Sequence, residues 1–130
     1  MNIFESAEYA ESLSICTKKK VGAAVMLNNR VVSIGVNHGF DLEKCNCSKH
    51  STNPDCLHAE VVSFFADDDF CFSGATIAVT YLPCLNCAKL IHSKGIKTVY
   101  YRDDRQEPEK RLGVNFLANN GIDVLNEWRV

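Results

Sequence analysis

The sequence predicts an α/β fold with three layers, α/β/α, around a mixed and mostly five-stranded sheet. Three observations carry this. Helix-like and strand-like segments alternate from residue 58 onward, an order that builds a partly parallel sheet with helices on its faces. Two apolar runs, 21–27 and 31–37, flank Asn28-Asn29, a hairpin signal that makes the sheet mixed. The chain has 130 residues, 46% hydrophobic and 23% charged, and contains no repeat, low-complexity run or linker. One domain over 1–130 with a real core is therefore expected.

The elements follow in order. Residues 3–15 place Ile3, Ala7, Ala10 and Leu13 at helical spacing, which predicts a first helix. After the hairpin, residues 39–57 form a polar loop of unusual length; in a compact domain such a loop is functional or tied down. Residues 58–66 read as a short helix ended by the acidic run Asp67–Asp69, and 75–82 as an apolar β-branched strand. Pro83 ends that strand at a helix start, where its missing N–H does no harm. The helix at 84–94 stops at Gly95, and 96–101 is another strand. A helix near 108–120 follows Pro108, with Leu112, Phe116 and Leu117 inward and Gly121 at its end. The segment IDVLNEW closes the chain as a last strand.

Composition narrows the function. A net charge of −2 and a pI near 6.1 argue against a nucleic-acid partner, which usually demands a basic face. No apolar run approaches the roughly 18 residues of a membrane span, so no membrane partner is expected. The polar, acidic N-terminus does not resemble a secretory signal and points to a cytoplasmic location. The basic cluster Lys18–Lys20 is too small to track a polynucleotide backbone. It either holds one phosphate or is a solvated loop. Seven cysteines, an odd number, point in a reducing compartment to metal ligation before disulfides.

His58-Ala59-Glu60 and Pro83-Cys84-Leu85-Asn86-Cys87 carry the chemistry. Cys84 and Cys87 are three apart at a helix start, which puts both sulfurs on one side of the first turn. His58 opens a second helix. If the two N-termini converge, their positive dipole ends favour thiolates and a bound hydroxide. One nitrogen and two sulfurs leave a fourth tetrahedral position for water, the arrangement of catalytic rather than structural zinc. Glu60, two residues beyond His58, is no ligand but is placed to take a proton from a metal-activated water. Either half alone is a weak signal: the thiol pair also fits a zinc ribbon or a redox pair. Together, separated by one strand, they are strong.

The paired motifs are those of zinc deaminases, and the chain resembles the deoxycytidylate (dCMP) deaminase branch of the cytidine deaminase superfamily from about residue 5 to 125. Further landmarks are Cys16-Thr17-Lys18-Lys19-Lys20-Val21-Gly22-Ala23, Ile34-Gly35-Val36-Asn37, and the run Ala88-Lys89-Leu90-Ile91 after the second thiolate. The resemblance implies a cytidine-deaminase-like fold and hydrolytic, zinc-dependent deamination of dCMP to dUMP with release of ammonia, feeding dTMP synthesis. In that chemistry zinc hydroxide attacks C4 of the pyrimidine while Glu60 shuttles protons, first to N3 and then to the leaving amine. The resemblance also implies that Asn37 meets the sugar or base edge, that the Ala59 backbone bonds the cytosine, and that Lys18 meets a phosphate. Tyr81 either lines the pocket or belongs to the core. Family members are often hexamers controlled by dCTP and dTTP, so a homo-oligomer with such effectors is implied. Here His38 stands where a Gly is common, a departure that touches that control. Other cytosine nucleotides, a base in RNA or single-stranded DNA, and a non-catalytic zinc module are the alternatives.

Cys45, Cys47, His50 and Cys56 crowd the long loop, and Cys16 ends the first helix. Cys/His at this spacing suits a second, structural zinc that would order the loop; free thiols are the alternative. Cys71 lies outside these clusters as a core or surface thiol, and His92 reads as structural.

Overall fold

A computed structural model of the chain describes residues 1–38, 57–65 and 71–128. Its elements are α1 (Ile3–Ser12), β1 (Gly22–Leu27), β2 (Arg30–Val36), α2 (Ala59–Ser63), β3 (Thr76–Tyr81), α3 (Leu85–Ser93), β4 (Thr98–Asp103), a 3₁₀ turn (Pro108–Lys110), α4 (Leu112–Asn119) and β5 (Asp123–Leu125). The sheet runs β2-β1-β3-β4-β5. β1 is antiparallel to both β2 and β3, whereas β3, β4 and β5 are parallel. The mixed five-stranded sheet thus matches the sequence expectation.

The hairpin forms as its turn chemistry dictates. Asn28 and Asn29 adopt φ of 54° and 63°, the left-handed pair a two-residue hairpin turn requires, and asparagine tolerates that region better than most residues. α1 starts from a capping box: the Asn2 side chain accepts from the Glu5 N–H at 2.8 Å, and the Glu5 carboxylate accepts from the Asn2 N–H at 3.1 Å.

Period-two alternation splits the sheet into two faces. Ala24 and Ala78 face Ile3, Phe4 and Ala7 of α1, with Tyr100 and Trp128 at the margin. Ala23, Val25, Ile77, Val79 and Val99 face the other way, onto Ala59 and Phe64, Ala88 and Ile91 of α3, and Val114 and Leu117 of α4. One helix on one face and three on the other give the three layers. Small residues set how closely the layers approach. A Cβ on Gly35 would lie 2.2 Å from the Ala59 carbonyl oxygen and 2.5 Å from the Ser63 nitrogen, so β2 and α2 touch backbone to backbone. Gly35→Ala should push α2 outward and destabilise the protein by about 1–3 kcal/mol. A urea midpoint identical to wild type would contradict this packing.

Several details depart from expectation. Leu13 caps the C-terminus of α1 and is half exposed rather than inward. The last helix begins later than position 108: Pro108 opens a 3₁₀ turn, Leu112 is exposed, and Val114 joins Leu117 in the core with Phe116 half-buried. Pro83 stands one residue before the N-cap, which is Cys84 itself. The acidic run Asp67–Asp69 lies outside the described residues.

Candidate metal centre and its cavity

Strand direction decides where the site sits. β2 ends at Val36 opposite Gly22, where β1 begins, and the Gly22 N–H donates to Thr80 Oγ1 at 3.0 Å, next to the end of β3. Asn37, Val21, Tyr81 and Leu82 therefore meet at one end of the sheet, beyond the carboxyl end of β3, the usual ligand position in α/β folds. A cavity of about 310 Å³ opens there.

Two helix starts converge on its floor. His58 is the N-cap of α2 and Cys84 that of α3, with Cys87 in the first turn. His58 Nδ1 lies 3.2 Å from Cys87 Sγ and 3.6 Å from Cys84 Sγ, and the three ligand atoms fall within 4.8 Å of one another. Tetrahedral zinc, at about 2.1 Å from nitrogen and 2.3 Å from sulfur, would set N···S edges near about 3.6 Å. The donor set fits that ion in chemistry and in spacing. Burial grades across it, from exposed His58 through Cys84 to buried Cys87, so the set is approached from the cavity side.

The metal-free protonation pattern follows from the same contacts. Hydrogen bonding from the Cys87 thiol, with further help from His58, lowers the Cys84 thiol to about 4. Cys87, the partner that keeps its proton, is pushed up by that same bond to Cys84 and by burial. His58 is raised, chiefly by its bond to Cys84. The Cys84 sulfur also accepts the Cys87 backbone N–H at 3.4 Å and so caps α3. Glu60 is buried at 4% exposure, and desolvation raises its carboxyl from the ordinary 4.5 to about 7.

Asn37, Ala59, Lys18 and Tyr81 all line the cavity. Asn37 is heavily engaged within the protein. Its Oδ1 accepts from Ser14 Oγ at 2.7 Å and from the Val21 N–H at 3.0 Å, and its Nδ2 donates to the Lys19 carbonyl at 2.8 Å. Tyr81 is half-buried: it packs on the core and carries the Lys19 ammonium 3.3 Å from its ring centroid, with the Arg105 guanidinium at 5.2 Å. Cys16 is buried and lines the same cavity, while Cys45, Cys47, His50 and Cys56 lie outside the described residues. Cys71 is an exposed thiol, and His92 packs edge-on against Phe116, as a structural histidine would.

Three charged lining residues have no motif to mark them: Lys19 as an individual, Glu109 and Lys110. The last two come from the 3₁₀ turn, which is held at the site because α4 packs on the thiol loop. A Cβ on Gly113 would meet the Pro83 carbonyl oxygen at 2.3 Å.

The family model of the cytidine and deoxycytidylate deaminase zinc-binding region matches residues 2–103. The chain belongs to this deaminase family. The family and the donor set agree on Zn²⁺ as the metal of the centre. Among curated relatives, an uncharacterized deaminase of Aliivibrio fischeri is 34% identical over 85% of the chain and 76% of its own length. The deoxycytidylate deaminase of Enterobacteria phage T2 is 37% identical over 73% of the chain. The chain spans 52% of that phage enzyme. Among solved structures, the dCMP deaminase of cyanophage S-TIM5 in complex with dCMP and dUMP superposes with a TM-score of 0.81. It is 31% identical, with 94% of this chain and 91% of that one covered. The deaminase fold expected from the motifs is the one observed. No helix among the described residues is long and apolar enough to cross a membrane.

Proposed function

We propose that this deaminase hydrolyses dCMP to dUMP and ammonia. One observation carries the reading: a buried carboxyl, Glu60, which desolvation raises to about 7, stands beside a His/Cys/Cys donor set on the floor of a cavity with cationic walls. The deoxycytidylate deaminases among the relatives support the substrate.

His58, Cys84 and Cys87 would hold the zinc, whose Lewis acidity activates a water. Glu60 takes the proton that water gives up and delivers it to N3 of the ring as oxygen adds to C4. It then carries the second proton to the departing amino nitrogen, so that dCMP and water become dUMP and ammonia. One carboxyl can serve as both base and acid because the two transfers are sequential. The Ala59 backbone would bond the base, and Asn37 the sugar or the base edge. Lys18, joined by Lys19 and Lys110, supplies positive charge for one phosphate. Glu109 on the same wall opposes a longer phosphate chain. Tyr81 forms a side of the cavity and orients Lys19.

The resemblance extends the proposal to a structural zinc on groups drawn from Cys16, Cys45, Cys47, His50 and Cys56. It also extends it to a cytoplasmic homo-oligomer, a hexamer by likeness, with dCTP and dTTP as effectors. Spacing supports the second zinc; the oligomer and effectors rest on resemblance alone.

Ammonia release decides the substrate. Purified protein offered dCMP, CMP, dCTP, deoxycytidine and a cytosine-containing oligonucleotide should turn over dCMP fastest. Preference for the oligonucleotide or for dCTP would replace the reading, and silence on all five would end the cytosine assignment.

A further inference from the structure

Ser14 belongs to no motif, yet it is 4% exposed and its hydroxyl makes two polar contacts. Its Oγ donates to Asn37 Oδ1 at 2.7 Å and accepts the Cys16 N–H at 3.2 Å. The rest of the Asn37 amide is spent on the same loop, through the Val21 N–H and the Lys19 carbonyl, and the Asn37 N–H donates to the Val21 carbonyl at 3.2 Å. The loop from α1 to β1 is thereby closed onto the end of β2 around one side chain. That loop carries Lys18 and Lys19, and the Lys19 ammonium rests on Tyr81.

Two consequences follow from counting groups. Both acceptor positions of Asn37 Oδ1 are filled, by Ser14 and Val21, and one of the two Nδ2 hydrogens is held by Lys19. Asn37 has a single N–H left and no acceptor, so the ligand atom it meets must itself be an acceptor. The Val21 N–H and the Lys19 carbonyl fix which way the amide faces, because reversal would set an NH₂ against the Val21 N–H, and Ser14 fills the acceptor position that remains.

We propose that Ser14 is a positioning residue, which acts through Asn37 to hold the Lys18–Lys19 loop over the phosphate end of the cavity. This rests on the dCMP reading for its ligand, but not for its geometry.

Ser14→Ala tests it, with wild type alongside. Its KM for dCMP should rise about fivefold or more, the effect of one lost hydrogen bond, with kcat within about twofold. Its kcat/KM for deoxycytidine, which has no phosphate, should hold steady. Amide hydrogen exchange at Cys16 and Val21 should quicken in the variant. An equal loss on dCMP and deoxycytidine would reduce Ser14 to general packing and overturn the proposal. Unchanged exchange would overturn it as well, whatever the kinetics. If wild type fails to deaminate dCMP, the substrate reading falls by itself, and the exchange measurement alone still decides whether Ser14 holds the loop.

Discussion

Glu60→Gln should lower dCMP turnover by about 10²–10⁴-fold, the range for removing a general acid–base group, while the protein keeps its catalytic zinc. Glutamine preserves the shape of the side chain but can neither accept the proton of water nor deliver one to the amine. A non-catalytic zinc module would show no such loss, so retained turnover of any cytosine substrate would remove Glu60 from the mechanism. The same substitution has a second effect in the metal-free protein. An unfolded chain ionises this carboxyl near 4.5, whereas burial keeps it protonated to about 7. The folded state therefore binds more protons between those values, and its stability falls as pH rises through that window. The shift corresponds to about 3 kcal/mol. Metal-free Glu60→Gln should thus melt higher than metal-free wild type at pH 8, and the difference should close below pH 4.5. A variant that melts lower at pH 8 would show that the buried carboxylate is not the burden described.

Cys87→Ala should abolish zinc binding at the centre and turnover together. Two ligands, His58 and Cys84, would remain, and Cys84 would lose the thiol hydrogen bond that contributes most to its low pKa. The intact site carries its own pH signature. Before metal arrives Cys84 is already a thiolate, Cys87 holds a proton, and His58 is held protonated above its ordinary range. Loading zinc must expel the Cys87 proton, and at low enough pH the His58 proton too. Affinity should climb about tenfold per pH unit where one proton leaves and up to about a hundredfold where two leave. Competition against a chromophoric chelator between pH 6 and 8 measures the slope. A flat profile would contradict the protonation pattern.

What the sequence revealed, and what it concealed, divides by the range of the interactions. The hairpin at Asn28-Asn29, the strand before Pro83 and the helix stop at Gly95 are written in local chemistry. The zinc ligands were equally visible, because residue type and spacing within one turn encode them. The capping box of Asn2 and Glu5 is equally local, written as N-x-x-E at the start of α1. Leu112 misled because a 3₁₀ turn from Pro108 rotates the helix that follows, so the apolar position at its start faces solvent. The resemblance makes Asn37 a ligand contact, but its bonds to Ser14, Val21 and Lys19 have no local signature. They join residues 16 to 23 positions apart whose meeting depends on how α1 enters β1. Lys110 and Glu109 reach the cavity only through the packing of Gly113 on Pro83, a contact with no signature in either segment.

His38 and Leu57 are bridged by backbone hydrogen bonds of 3.1 and 2.6 Å. The bridge pins both ends of residues 39–56 together one position before His58. Closing a flexible loop costs only about 0.6 kcal/mol more for each doubling of its length. The chain can therefore gain or lose sequence between the two bridge residues while the histidine next door keeps its place.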